Sequence, residues 1–126
     1  MNLTGFPLRQ PFAPAQRLRH TAQFKRVFAQ PLRTGKTGFV ILSRANDIGS
    51  PRLGLAISKK CARRAVDRNR LKRIARESFR LHAHSISGVD IVILCAQGAL
   101  TMSNQQLFLL LARAWITIGT QSCVNS

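Results

Sequence analysis

The chain has 126 residues, 45% of them hydrophobic, and sets twenty Lys and Arg against four Asp and Glu, for a net charge of +16. That length fits one domain with a modest core, and the apolar content excludes a wholly disordered basic tail. Charge so one-sided opposes compaction unless an anionic partner relieves it, which leaves nucleic acid and anionic membrane as candidate partners.

The first twenty residues, MNLTGFPLRQPFAPAQRLRH, hold three of the five prolines (Pro7, Pro11 and Pro14) and lack the continuous apolar core of a signal peptide. Residues 1–17 therefore read as a poorly ordered basic tail, ahead of a domain over 18–118 and a short C-terminal tail over 119–126. Thr21 can cap a helix in which Phe24, Val27 and Phe28 recur at helical spacing. Pro31 and the turn residues of RTGKTG follow. A phosphate loop would need glycine at position 30, where Gln30 stands, so GKT reads as a turn between strands.

Phe39 to Arg44 (FVILSR) predicts a β-branched strand closed by the turn NDIGSP. Arg52 to Ser58 (RLGLAIS) alternates: Leu53, Leu55 and Ile57 face the core, while Arg52, Gly54, Ala56 and Ser58 leave a second face with little bulk. That second face is either a seat for a closely packed helix or a floor open to a ligand. A basic helix over 66–82, a loop at SISGV and a strand from Asp90 to Cys95 come next. A last helix is predicted from Asn104 to Ile118, capped by Ser103 or Asn104, with Leu107, Leu110, Leu111, Ala114, Trp115 and Ile118 as its buried stripe. Its apolar run of about twelve residues is too short to span a bilayer, so a membrane partner is not expected and the cytoplasm is. The order α-β-β-β-α-β-α predicts an α+β fold, a small two-layer α/β sandwich.

The basic window SKKCARRAVDRNRLKRIARESFRL decides the partner. On a helical wheel Leu71, Ile74, Ala75, Ser78, Leu81 and His82 share the arc that faces the sheet. Arg68, Lys72, Arg76 and Arg80 form one i,i+4 ridge, flanked by Asn69 and Arg73, with Arg70 nearer its edge. A merely solvated face would intersperse both signs, because each like-charge i,i+4 pair costs about 0.2–0.5 kcal/mol. Three such pairs in succession are better explained by phosphates supplied from outside, and the preference for Arg suits bidentate contacts. No second helix is placed for a helix-turn-helix, so a reader of backbone and shape is expected. Phe24 and Phe28 either fill the core or stack on single-stranded bases.

Cys61, Cys95 and Cys123 are far apart, odd in number and form no CxxC pair, which predicts three reduced thiols and neither a disulfide framework nor a zinc site. His82 and His84 do not share a helix face, so no metal site is expected there.

The segment SKKCARRAVDRNRLKRIARESFR, with Arg68-Asn69-Arg70 at its centre, resembles the signature of the protein subunit of bacterial ribonuclease P. FKRVFAQPLRTG is similar to that family's first helix and strand, PRLGLAISKK to its third strand, and VDIVILCAQGAL to its fourth. The resemblance runs over about residues 18 to 116. It implies a left-handed βαβ crossover through the basic helix, against the usual right-handed rule. It also implies a function: an accessory subunit of an endoribonuclease whose catalytic RNA removes the 5′ leader of precursor tRNA.

By position, the resemblance implies that Lys59, Lys60, Arg64, Arg68, Asn69, Arg70, Lys72, Arg73 and Arg76 meet the RNA subunit. It implies a leader cleft of Phe24, Phe28, Arg52, Gly54, Ala56 and Ser58, with Phe39 standing in for an aromatic on the second strand. The sequence departs from the family pattern at Ala62, where relatives often have glycine, and at Gln97, where they often have a cation. No catalytic residue and no protein-held metal are expected, magnesium being held mainly by the RNA. The expected assembly is one protein with one RNA. A ribosomal or general RNA-binding protein of similar fold is the alternative, and the scattered acids Asp47, Asp67, Glu77 and Asp90 argue against an autonomous two-metal nuclease.

Overall fold

A computed structural model describes residues 17–29, 31–35 and 37–125. The expected order is present: α1 (Thr21–Ala29), β1 (Leu32–Thr34), β2 (Phe39–Ala45), β3 (Arg52–Ala56), α2 (Ala65–His82), β4 (Val89–Cys95) and α3 (Asn104–Asn125). Most of the predicted N-terminal tail, 1–16, lies outside the described residues. Its last residue, Arg17, already pairs with Leu53 beside β3.

The four strands form one mixed sheet in the order β1-β2-β4-β3. β2 runs antiparallel to β1 and β4, whereas β3 and β4 are parallel neighbours joined through α2. Period-two alternation divides every strand between two faces. Phe39, Ile41, Leu53, Ile57, Ile91 and Ile93 face a core closed by Leu71, Ile74 and Phe79 of α2 and by Leu107, Leu111, Trp115 and Ile118 of α3. At about 1.5–3 kcal/mol for each fully buried large side chain, this layer holds the fold together. On the opposite face Val40, Leu42 and Val92 pack under Leu18 and Val27, so α1 covers part of it.

Four expectations are corrected. The arc of α2 includes Phe79, fully buried, and excludes Leu81, which is 48% exposed, while His82 is half-exposed with Nδ1 2.8 Å from the Ser78 carbonyl. Positions 79 and 81 flank the arc on opposite sides, and α3 lies on the side of 79, where the Phe79 and Trp115 rings meet edge to face with centroids 6.0 Å apart. Second, α1 is capped from within. Gln23 Oε1 accepts from the backbone N–H of Arg19 (2.7 Å) and His20 (3.0 Å), and Thr21 is simply the first helical residue.

Third, α3 runs on to Asn125 where a tail from residue 119 was expected. Gly119 does not end it. A Cβ there would stand 3.1 Å from the Ser85 carbonyl, so the glycine allows α3 to pass close to the turn after α2. Ser103 is the cap of α3: its Oγ accepts from Gln106 N–H (3.1 Å), and Gln106 Oε1 accepts from Ser103 N–H (2.8 Å).

Fourth, Cys61 and Cys95 are joined by a disulfide, with their Cα atoms 6.0 Å apart, so the expectation of three free thiols fails for this pair. Thirty-four positions separate them, but parallel β3 and β4 end side by side. Cys95 closes β4 and Cys61 lies in the turn that follows β3.

Candidate nucleic-acid interface

The basic surface begins in the turn between β3 and α2. The Ser58 carbonyl accepts from Ala62 N–H (3.0 Å) and its hydroxyl from Cys61 N–H (3.2 Å), a local fold that leaves Lys59 and Lys60 exposed. Ala62 is fully buried and packs into the core. Arg68 reaches back from α2 and donates through one nitrogen to the carbonyls of Ala62 (2.9 Å) and Arg63 (2.8 Å). Asp67 suits the first turn of α2, where the helix dipole favours an anion, and it pairs with exposed Arg64 at 3.4 Å.

The ridge does not present its cations equally. Arg80 pairs with Glu77. Arg70 donates from Nε to Asn104 Oδ1 (2.8 Å) and from its NH2 nitrogen to the Met102 carbonyl (2.6 Å). Lys59, Lys60, Lys72, Arg73 and Arg76 have no hydrogen-bond or ion-pair partner among the described residues, and Asn69 is exposed beside them. Sequence reasoning found the ridge. Arg80 and Arg68 are committed to partners three to six positions away, whereas the partners of Arg70 lie more than thirty positions away and leave no local signal.

The second candidate surface is the α1 face of β3 and β4. Phe28 is 45% exposed, whereas Phe24 is half-buried against Gly54. Ala56 and Ser58 continue the floor, and Leu94 and Ala96 of the neighbouring strand line complete it. These last two could have been found from the alternation of DIVILCA. Gln97 lies at the same end, in an open groove of about 440 Å³ shared with Ser58, Lys60 and Gly98.

Two expected members do not belong to this face as free groups. Phe39 is fully buried and points to the opposite face, into the core beneath α2 and α3, since odd positions of β2 face that way. Arg52 is clamped: its Nε and NH2 groups donate at 2.8 Å to the two carboxylate oxygens of Asp90, which is 2% exposed. Asn46 Nδ2 donates to the same carboxylate at 2.8 Å. The hydrogen bond to Asp90 holds the Arg52 guanidinium above its ordinary pKa, against the lowering effect of burial.

The chain is thus defined as a mixed α/β sandwich with a small-residue sheet face and a cationic helix face on which Lys72, Arg73 and Arg76 have no partner among the described residues. Residues 12–119 match the Ribonuclease P family, and the chain belongs to that family. It is 44% identical over 116 residues to the ribonuclease P protein component of Thioalkalivibrio sulfidiphilus, covering 92% of this chain and 96% of that one. The Yersinia enterocolitica protein component is 44% identical over 99 residues, covering 79% and 83%. Among solved structures, the RNase P protein of Staphylococcus aureus superposes with a TM-score of 0.72 at 32% identity, over 78% of this chain and 90% of that one. The Thermotoga maritima protein does so at 0.70 and 29% identity, over 79% and 94%.

Proposed function

We propose that this chain is the protein component of a ribonuclease P that removes the 5′ leader of precursor tRNA, docking on the catalytic RNA through α2 and the turn before it. The observation that carries the reading is the set of partner-free groups at Lys59, Lys60, Asn69, Lys72, Arg73 and Arg76 on one surface. Arg64 and Arg68 border it, Arg64 held only by an exposed ion pair that contributes little. Five cations without carboxylates suit phosphates, which each can neutralise with release of a condensed counterion.

The leader occupies the face formed by Phe28, the edge of Phe24, Ala56, Ser58, Leu94 and Ala96, where small side chains let a single strand approach and an exposed aromatic ring can stack on a base. Magnesium belongs to the RNA in this reading. Of the four acids, Asp90 is held by Arg52 and Asn46, Asp67 by Arg64 and Glu77 by Arg80, and no group of three or more His, Cys, Asp or Glu gathers among the described residues. The protein works in the compartment where precursor tRNA is made, as one copy per RNA.

The test is to combine the purified protein with its cognate RNA subunit and a precursor tRNA at low magnesium. Cleavage at the mature 5′ end that requires both components supports the reading. Protein that binds RNA yet leaves cleavage unchanged points instead to a ribosomal or other RNA partner.

A further inference from the structure

Arg70 is the last residue of the Arg68-Asn69-Arg70 core, and its guanidinium does not face outward as a free cation. The Nε and NH2 edge, one of the two guanidinium edges able to grip a phosphate bidentately, is occupied by Asn104 Oδ1 and the Met102 carbonyl. Both acceptors lie where the turn after β4 enters α3. The division of labour at that helix start is clear: Ser103 caps the backbone, which leaves the Asn104 side chain to receive Arg70.

We propose that Arg70 is a positioning residue, which fixes α2 against the start of α3 and so sets the orientation of the face carrying Asn69, Lys72, Arg73 and Arg76, rather than a residue that neutralises an RNA phosphate. The inference rests on the proposed RNA docking of α2 and refines it. Arg70 lies on the same turn of α2 as Asn69, Lys72 and Arg73, so a tilt of the helix moves every phosphate contact on it together. Removing the fork weakens binding without removing an ion contact.

Salt dependence separates the two roles. The slope of log affinity against log salt counts neutralised phosphates, at about 0.7–0.9 each. Binding of the cognate RNA subunit is measured across a salt series for wild type, Arg73→Ala, Arg70→Ala, Arg70→Lys and Asn104→Ala. All are held at a temperature where melting curves show each variant folded. Arg73→Ala is expected to reduce the slope by about one contact. Arg70→Ala is expected to weaken binding about tenfold, the worth of a charge-assisted hydrogen bond, with the wild-type slope retained. Asn104→Ala changes no charge, yet it is expected to weaken binding in the same direction, and adding it to Arg70→Ala costs nothing further. Arg70→Lys keeps the charge but not the fork, and is expected to resemble Arg70→Ala.

A reduced slope for Arg70→Ala, with Asn104→Ala indistinguishable from wild type, overturns the positioning role while leaving α2 as the RNA dock. If Arg73→Ala alters neither affinity nor slope, the docking surface itself is wrong and the inference falls with it. Should Arg70→Ala not fold, Arg70→Lys and Asn104→Ala decide the matter alone.

Discussion

Gly54 lies directly beneath the ring of Phe24. A Cβ built on Gly54 would stand 2.6 Å from both Cε1 and Cζ of Phe24 and 3.1 Å from Cβ of Leu18. The small residue at the centre of the bulk-free strand face is thus a seat for α1, while Ala56 and Ser58 further along remain accessible. Gly54→Ala is expected to push Phe24 and α1 away from the sheet, costing about 1–3 kcal/mol as overpacking does. Urea denaturation reads the stability loss, and leader binding is expected to weaken with it. An unchanged midpoint would mean that the ring moves aside freely.

The alternation of RLGLAIS showed that Gly54 and Ala56 share a face, but not what stands over each. The helix seat is realised at Gly54, whereas Ala56 and Ser58 stay accessible beyond it. The strand and helix order was legible because each element keeps its period and is bounded by Pro, Gly or a capping residue. Phe79 is absent from the predicted arc because a wheel gives the width of an apolar arc but not the side on which the next helix packs. Likewise the ridge of cations was visible at i,i+4, whereas the commitment of Arg70 to Asn104 and of Arg52 to Asp90 depends on contacts across more than thirty positions. The disulfide belongs to the same class, because only the parallel pairing of β3 and β4 brings Cys61 to Cys95.

The clamp of Arg52 on Asp90 gives a second prediction. Both side chains are largely buried, and Asp90 accepts a further bond from Asn46, which fastens the turn between β2 and β3. Asp90→Ala strands a buried guanidinium and is expected to cost about 3–5 kcal/mol. Arg52→Met with Asp90→Leu removes both charges and is expected to be much less damaging than Asp90→Ala, because desolvation of the pair is relieved. Denaturant midpoints for the three proteins decide it. Equal losses in the single and double variants would show that the pair stabilises the fold in its own right.

The bridge between Cys61 and Cys95 encloses the whole of α2 in its loop. Closing a loop of that size restricts the unfolded chain and is expected to contribute about 3–4 kcal/mol. Adding a thiol reductant should therefore lower Tm of the wild type, while Cys95→Ser should start at the lower Tm and no longer respond to reductant. A wild type indifferent to reductant, with two reactive thiols at Cys61 and Cys95 before its addition, would show that the bridge does not form in solution.

Trp115 Nε1 donates a 2.8 Å hydrogen bond to Ser78 Oγ, and both residues are almost wholly buried between α2 and α3. Ser78 is thus a polar residue on an apolar arc with a defined reason to be there: it satisfies the one donor of the largest core side chain. Ser78→Ala keeps the packing volume nearly intact but strands the indole N–H, with an expected loss of about 1–3 kcal/mol. Trp115 is the single tryptophan, so its fluorescence follows unfolding directly. The bond lies on the face of α2 opposite the free cations. Ser78→Ala should therefore lower the unfolding midpoint yet leave the salt slope of RNA binding unchanged. A lowered slope would mean that α2 has rotated and that the Ser78–Trp115 bond helps set which cations reach the RNA.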